Sequence, residues 1–438
     1  MIFDFAELDD ITLDVALPDR LLQVRQLIDP PRLPDLPAAV RAELDRSGLA
    51  DRLAPGDSVA VGVGSRGVAN IPVLARAVCG WFSDQGAEPF VIPAMGSHGG
   101  ATAPGQEGVL EQLGVTAETV GAPVRSTMDT IAIGILEDGP ALHMDVNAHA
   151  ATHTFLLNRV KPHTDFHGDL ESGLAKMAVI GLGKRAGASI MHAGGGAAFR
   201  RWLGPAARVY ESNTNLLGGL ACVENAHDDT AIVRVLNAAQ IGTATETELL
   251  TDAYRLMMRM PFDVIDVLVL RQIGKNISGA GMDPNVTGRV KIPREPELEK
   301  PDVAVIAVLD LTSQTHGNGA GIGLANVTTW RAAASIDWTT TYTNGLTSGI
   351  FGVERSSLPM VMADDRRAIN VALNGCAQPL DRARIVFAAD TLHVDRVWVA
   401  PWMAEEVAGR DDLVVEAEVP LSFDAGRLTS PWDMPAIK

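Results

Sequence analysis

Between Lys161 and His192 the chain reads KPHTDFHGDLESGLAKMAVIGLGKRAGASIMH, which gathers three histidines, three lysines and three acids among glycines. Lys176 precedes the apolar run Met177-Ala178-Val179-Ile180. An amine held beside apolar surface gives up its charge more readily and can serve as a nucleophile or an attachment point. His192 follows sixteen residues after Lys176. Neutral imidazole is the commonest metal ligand and a base suited to neutral pH. The segment therefore holds the parts for a tethered cofactor, a metal ligand and a general base. A glycine-rich loop with a few solvated histidines accounts for the same residues. Lys184, in GLGKRAG, is expected to tolerate replacement better than Lys176.

Other candidates lie in loops that follow apolar runs. Arg66 sits in Gly64-Ser65-Arg66-Gly67, where a guanidinium can fork onto a carboxylate or phosphate near the start of a helix. His98 sits in Gly96-Ser97-His98-Gly99-Gly100, and flanking glycines let the backbone approach a ligand closely. His163 and His167 have the spacing of a two-histidine metal face on a helix, but Pro162 and Gly168 make this a loop. A zinc site there is a minor reading, and no HExxH is present. Gly62, Gly64 and Gly67 match GxGxxG, yet no acidic residue about twenty positions on ends a second strand, so a dinucleotide site is not supported. Lys275, Asn276, Asp283, Asn285, Arg289 and Lys291 crowd one later loop, either as a binding loop or as a solvated connector.

The elements that must position these residues alternate between strand and helix. Residues 58–63 (SVAVGV), 89–93 (PFVIP), 131–136 (IAIGIL) and 154–158 read as strands, and 71–85 and 108–113 as helices. This order predicts a parallel sheet with crossover helices, which binds ligands at the carboxyl ends of its strands. Arg66, His98 and His163 all follow such strands and could converge. Runs 264–270 (VIDVLVL) and 303–309 (VAVIAVL) begin a second unit. The expected fold is α/β, with two α/β domains, parallel-rich sheets and an interdomain cleft. The expected domains are 1–260, bearing the cofactor, and 261–400, bearing a substrate loop. A C-terminal segment, 401–438, could return to the first domain.

Composition narrows the function. The chain has 438 residues, 47% hydrophobic and 21% charged, as in soluble globular proteins. Its net charge of −18 argues against nucleic-acid binding and requires local cations for any anionic substrate. Three scattered cysteines suit a reducing, cytoplasmic setting rather than a disulfide framework. The acidic N-terminal stretch is not expected to be a signal peptide, and no apolar run reaches the length of a membrane span.

From about Ser58 to about Lys291 the sequence resembles the nickel-pincer-dependent lactate racemases and their 2-hydroxyacid racemase and epimerase relatives. The resemblance rests on GSRGV and GSHGG after strands, on the order PH, then lysine, then histidine, and on the sixteen-residue step from Lys176 to His192. SGAGMDPN followed by Lys291 looks like the family's second-domain substrate loop. The PH-to-lysine loop is longer here, and Thr287 and Gly288 replace the family's tyrosine and glutamine. These departures bear on lactate as substrate more than on the cofactor. The resemblance implies racemisation or epimerisation of a 2-hydroxy acid by reversible hydride transfer. It implies a nickel-pincer nucleotide tethered to Lys176 through a thioamide, with nickel completed by His192. It gives His98 and His163 the roles of paired bases, and Arg66 with Lys291 the carboxylate clamp. Pincer-synthesis enzymes would be the partners that deliver the cofactor. The competing expectations are a catalytically silent binder of hydroxy acids or nucleotides, and a metal-assisted hydrolase or lyase using His163 and His167.

Overall fold

The computed structural model describes Leu13 and residues 15–65 and 67–432. It is an α/β protein that divides into two compact units, one spanning Pro30–Met257 and the other formed by the described residues before Pro30 with those from Met258. The first strand, β1 (Arg20–Gln26), belongs to the latter unit.

The Pro30–Met257 unit contains β2 (Ser58–Val63), β3 (Glu88–Pro93), β4 (Thr130–Ile135), β5 (Ala141–Asp145), β6 (His153–Arg159), β7 (Leu216–Glu224) and β8 (Thr230–Asn237). The main sheet runs β3-β2-β6-β7-β8. Its first four strands are parallel, and β8 closes antiparallel to β7. Val59, Val61 and Val63 alternate from β2 into a core with Leu74, Val78 and Phe82 of the helix Ile71–Asp84. Each such side chain removed from water contributes about 1.5–3 kcal/mol before entropy is counted. The expected strand at 131–136 exists as β4, but it forms a separate hairpin with β5 rather than joining the parallel sheet.

The other unit contains β1, β9 (Val264–Ile273), β10 (Asp302–Leu311), β11 (Val327–Thr329), β12 (Met360–Met362), β13 (Ile385–Ala388), β14 (Arg396–Val399) and β15 (Leu413–Pro420), with a hairpin of β16 (Ser422–Asp424) and β17 (Arg427–Ser430). The sheet order is β12-β11-β10-β9-β13-β14-β1-β15. The strands β9 to β13 are parallel to one another, and β14, β1 and β15 continue the sheet by antiparallel pairing.

This division differs from the one expected. The N-terminal residues do not join the first unit, because β1 pairs between β14 and β15 and buries Leu21 and Val24 completely. The C-terminal segment does not return to the first unit either, since β15 pairs with β1. Both pairings are non-local, and local patterning carries no trace of them. No helix among the described residues is long and apolar enough to cross a membrane.

Candidate functional site

Parallel pairing of β3, β2 and β6 makes the chain leave Pro93, Val63 and Arg159 at the same edge of one sheet. After the last of these, a short helix, Leu174–Lys176, carries Lys176. A π-helical turn, Met177–Leu182, follows, and the helix Lys184–Ala193 then brings His192. π-turns are rare and concentrate at functional sites. Lys176 and His192 are therefore helical residues, where glycine content suggested a loop.

Lys176 and His163 meet directly, Nζ against Nε2. Aromatic rings flank the pair. Phe166 and Phe199 stack with centres 4.4 Å apart, and the His163 ring lies 4.4 Å from Phe166. Nζ stands 5.9 Å from the Phe166 centre and 5.8 Å from that of Phe199. The backbone N–H of Asp165 donates to His163 Nδ1 at 3.0 Å. His163 Nε2 is thus the ring nitrogen turned to the amine.

His192 Nδ1 donates to Ala188 O at 2.7 Å, which leaves the ring's lone pair on Nε2. The His192 ring lies 5.4 Å from the Phe199 centre. Lys176 and His192 thus both lie against one phenyl ring. Among the described residues, no group of three or more His, Cys, Asp or Glu could hold a metal ion.

Two buried carboxylates fix these elements. Glu171 accepts the His163 N–H at 2.5 Å, the Gly168 N–H at 3.2 Å and the Tyr254 hydroxyl at 2.8 Å. Glu246 accepts the Ala175 N–H at 3.0 Å and the Gly242 N–H at 2.8 Å, and so caps the helix that carries Lys176. Burial raises the Glu246 pKa, while its amide donors oppose that rise. Gly173 makes the approach possible, since a Cβ there would lie 2.2 Å from Glu246 Oε1.

His98 is exposed, and its Nδ1 contacts Ser65 Oγ. Its loop is held from below. Gln106 Nε2 donates to Gly96 O at 2.9 Å and His98 O at 3.3 Å, and Gln106 Oε1 accepts from Lys184 Nζ at 3.0 Å. Lys184 and Asp145 are both fully buried, with Nζ 3.0 Å from Oδ2. Burial pushes the Lys184 amine below its ordinary value, and Asp145 pulls it back.

Arg66 lies outside the described residues. Lys291 lies in the other unit, where its Nζ donates to Gly323 O at 2.5 Å. Thr287 is fully buried, and Gly288 has φ +72° with Pro301 O 1.7 Å from where a Cβ would stand. These two positions serve backbone packing, which explains why no tyrosine or glutamine occurs there. Arg289 also serves the backbone, donating to Val303 O and to Ala304 O at 2.9 Å. His167 turns away from His163, with Nδ1 2.7 Å from the Tyr254 hydroxyl and 3.3 Å from Glu171 Oε1. Phe166, Phe199, Glu171, Glu246 and Tyr254 were not singled out from sequence. Only Phe166, inside PHTDFHG, gave a local signal.

No family model and no curated protein sequence matches this chain. Two solved structures are similar in part. One is a crystal structure of a Thermotoga maritima protein, 11% identical, covering 74% of this chain and 82% of that one, with a TM-score of 0.45. The other is the lactate racemase apoprotein from Thermoanaerobacterium thermosaccharolyticum, 11% identical, covering 85% of this chain and 98% of that one, with a TM-score of 0.46. At these values neither assigns a family or an activity. What the fold and the site define by themselves is a two-unit α/β protein with a lysine–histidine pair beyond the carboxyl edge of a parallel sheet.

Proposed function

We propose that this protein is an isomerase, a racemase or epimerase of a small 2-hydroxy acid that uses a nickel-pincer nucleotide tethered to Lys176. The observation that supports the reading is the contact of Lys176 Nζ with His163 Nε2, with His192 against the same phenyl ring as Lys176. When bound, the group supplies a hydride acceptor beside a nickel ion that suits imidazole and sulfur donors. The chain's own residues do the rest. Inverting a carbinol carbon requires removal and return of the hydroxyl proton, and a base on each face serves both directions. His163 and His98 take these roles, with Ser65 orienting His98 through Nδ1. Arg66 holds the substrate carboxylate, because a bidentate clamp fixes C2 as well as charge.

The test is expression together with pincer-synthesis enzymes. The Lys176 peptide should carry added mass and the protein should retain nickel. Lys176→Ala should lose both, while His192→Ala should keep the mass and lose the nickel. A 2-hydroxy acid deuterated at C2 should keep its label in the product. An unmodified Lys176 peptide without nickel, or washout of the label into solvent, would refute the proposal.

A further inference from the structure

The unit that does not carry Lys176 has a cavity of about 260 Å³. It lies towards the carboxyl ends of β9 and β10, where Arg271 and Asp310 line it. Arg331 enters it from the helix after β11, and Asp365 from the helix after β12. Arg427 comes from β17, and Trp432 flanks the opening. In parallel sheets this edge is where ligands bind, next to the point where strand order reverses. The chain steps from β9 outward through β10, β11 and β12, then returns to the opposite side of β9 as β13.

The charges in the cavity do not cancel. Arg331 is paired with both acids, with Nε on Asp310 Oδ2 at 2.8 Å, and Nη2 on Asp365 Oδ1 at 2.9 Å and Leu309 O at 3.1 Å. Asp365 spends its other oxygen on the Leu428 N–H at 2.8 Å, which fastens the hairpin. Both acids are thus committed to structure. Among the described residues, Arg271 and Arg427 have no ion-pair partner. Arg271 is half-buried, and its guanidinium carbon lies 5.8 Å from the Trp432 ring centre. Burial, then Arg427 and Arg331, push the Arg271 pKa down against the pull of Asp310. Like charges gathered in a small recess repel, and an anion between them relieves that repulsion. This local excess of positive charge stands in a chain of net charge −18.

We infer that this cavity binds a small oxyanion, a carboxylate or a phosphate, between Arg271 and Arg427 beside Trp432. The volume limits the ligand. It falls below that of ordinary small-molecule pockets, so it suits inorganic phosphate, a short dicarboxylate or the anionic head of a monoester. Guanidinium forks match all three.

The experiment titrates the full-length protein with inorganic phosphate, malonate and glycerol phosphate. Ionic strength is held constant with chloride, and binding is read by calorimetry and tryptophan fluorescence. Saturable binding is expected for at least one probe. Arg271→Gln and Arg427→Gln should each weaken it roughly 10- to 100-fold. Trp432→Phe should keep the heat and lose most of the fluorescence change. Response to phosphate and its monoester alone identifies a phosphate site, and response to malonate alone identifies a carboxylate site. Arg427 is exposed, so its variant should fold whatever happens at Arg271. The inference fails if no probe saturates up to about 10 mM. It also fails if the double variant Arg271→Gln/Arg427→Gln binds as well as the wild type. Lys176 need not be loaded for any of these measurements, so the outcome is independent of the isomerase reading.

Discussion

Replacing Lys184 by methionine tests whether the first unit depends on a buried charge pair. The substitution keeps most of the side-chain volume and removes the ammonium. Asp145 is then left fully buried, without the cation now 3.0 Å from Oδ2. Breaking a buried pair from one side costs about 3–5 kcal/mol, because the remaining charge stays desolvated. Asp145 Oδ1 keeps two amide donors, Asn147 N at 2.7 Å and Ala148 N at 3.1 Å, which places the expected loss near the lower bound. In a unit of this size each kcal/mol moves the melting midpoint by about 2–4 °C. The expected fall is therefore roughly 6–12 °C, read by circular dichroism or calorimetry. Adding Asp145→Asn keeps the cap acceptor and removes the stranded charge, so the double variant should melt higher than Lys184→Met alone. Hydrogen exchange should quicken in residues 96–101, because Gln106 loses the Lys184 contact that steadies it against Gly96 and His98. A fall in midpoint below about 2 °C, or strictly additive single variants, would refute the argument.

Glu246→Gln should cost about 1–3 kcal/mol, because an amide NH₂ would then face a backbone N–H of Ala175 or Gly242. Hydrogen exchange at residues 174–177 should report it directly, and unchanged protection there would remove Glu246 as a positioning residue. Cys79, Cys222 and Cys376 are all buried, and burial pushes the thiols of Cys79 and Cys222 up to about 12. Thiol reagents at pH near 8 should therefore react with these two only as the protein unfolds, and fast labelling of the native protein would count against the packing described.

Much of the parallel scaffold was legible from sequence because β-branched runs flanked by glycine have few alternatives. SVAVGV, PFVIP, VIDVLVL and VAVIAVL all became strands. Three features escaped for a common reason. The placement of β1 and β15, the burial of Lys184 and the cap supplied by Glu246 all rest on partners distant along the chain. A lysine next to glycine and arginine reads as surface, and only Asp145 and Gln106 make it core. The helical state of Lys176 and His192 escaped for another reason. Glycine is a poor helix former, yet close packing of the π-turn on the 94–96 loop calls for residues without bulk. A Cβ on Gly181 would lie 2.7 Å from Ala94 O. The His163–Lys176 contact was half legible, since both residues stood out by type while their direct meeting did not.

The site's two buried acids act on the backbone that positions the lysine and the histidine. Glu171 accepts from the His163 and Gly168 N–H groups, and Glu246 from those of Ala175 and Gly242. Glu171 fixes the backbone of His163, and Glu246 fixes the helix that begins before Lys176. The Asp165 N–H holds His163 Nδ1, and Nε2 of the same ring meets Lys176 Nζ. Charge is thus used to place the elements, while two phenyl rings and one imidazole lie against the amine itself.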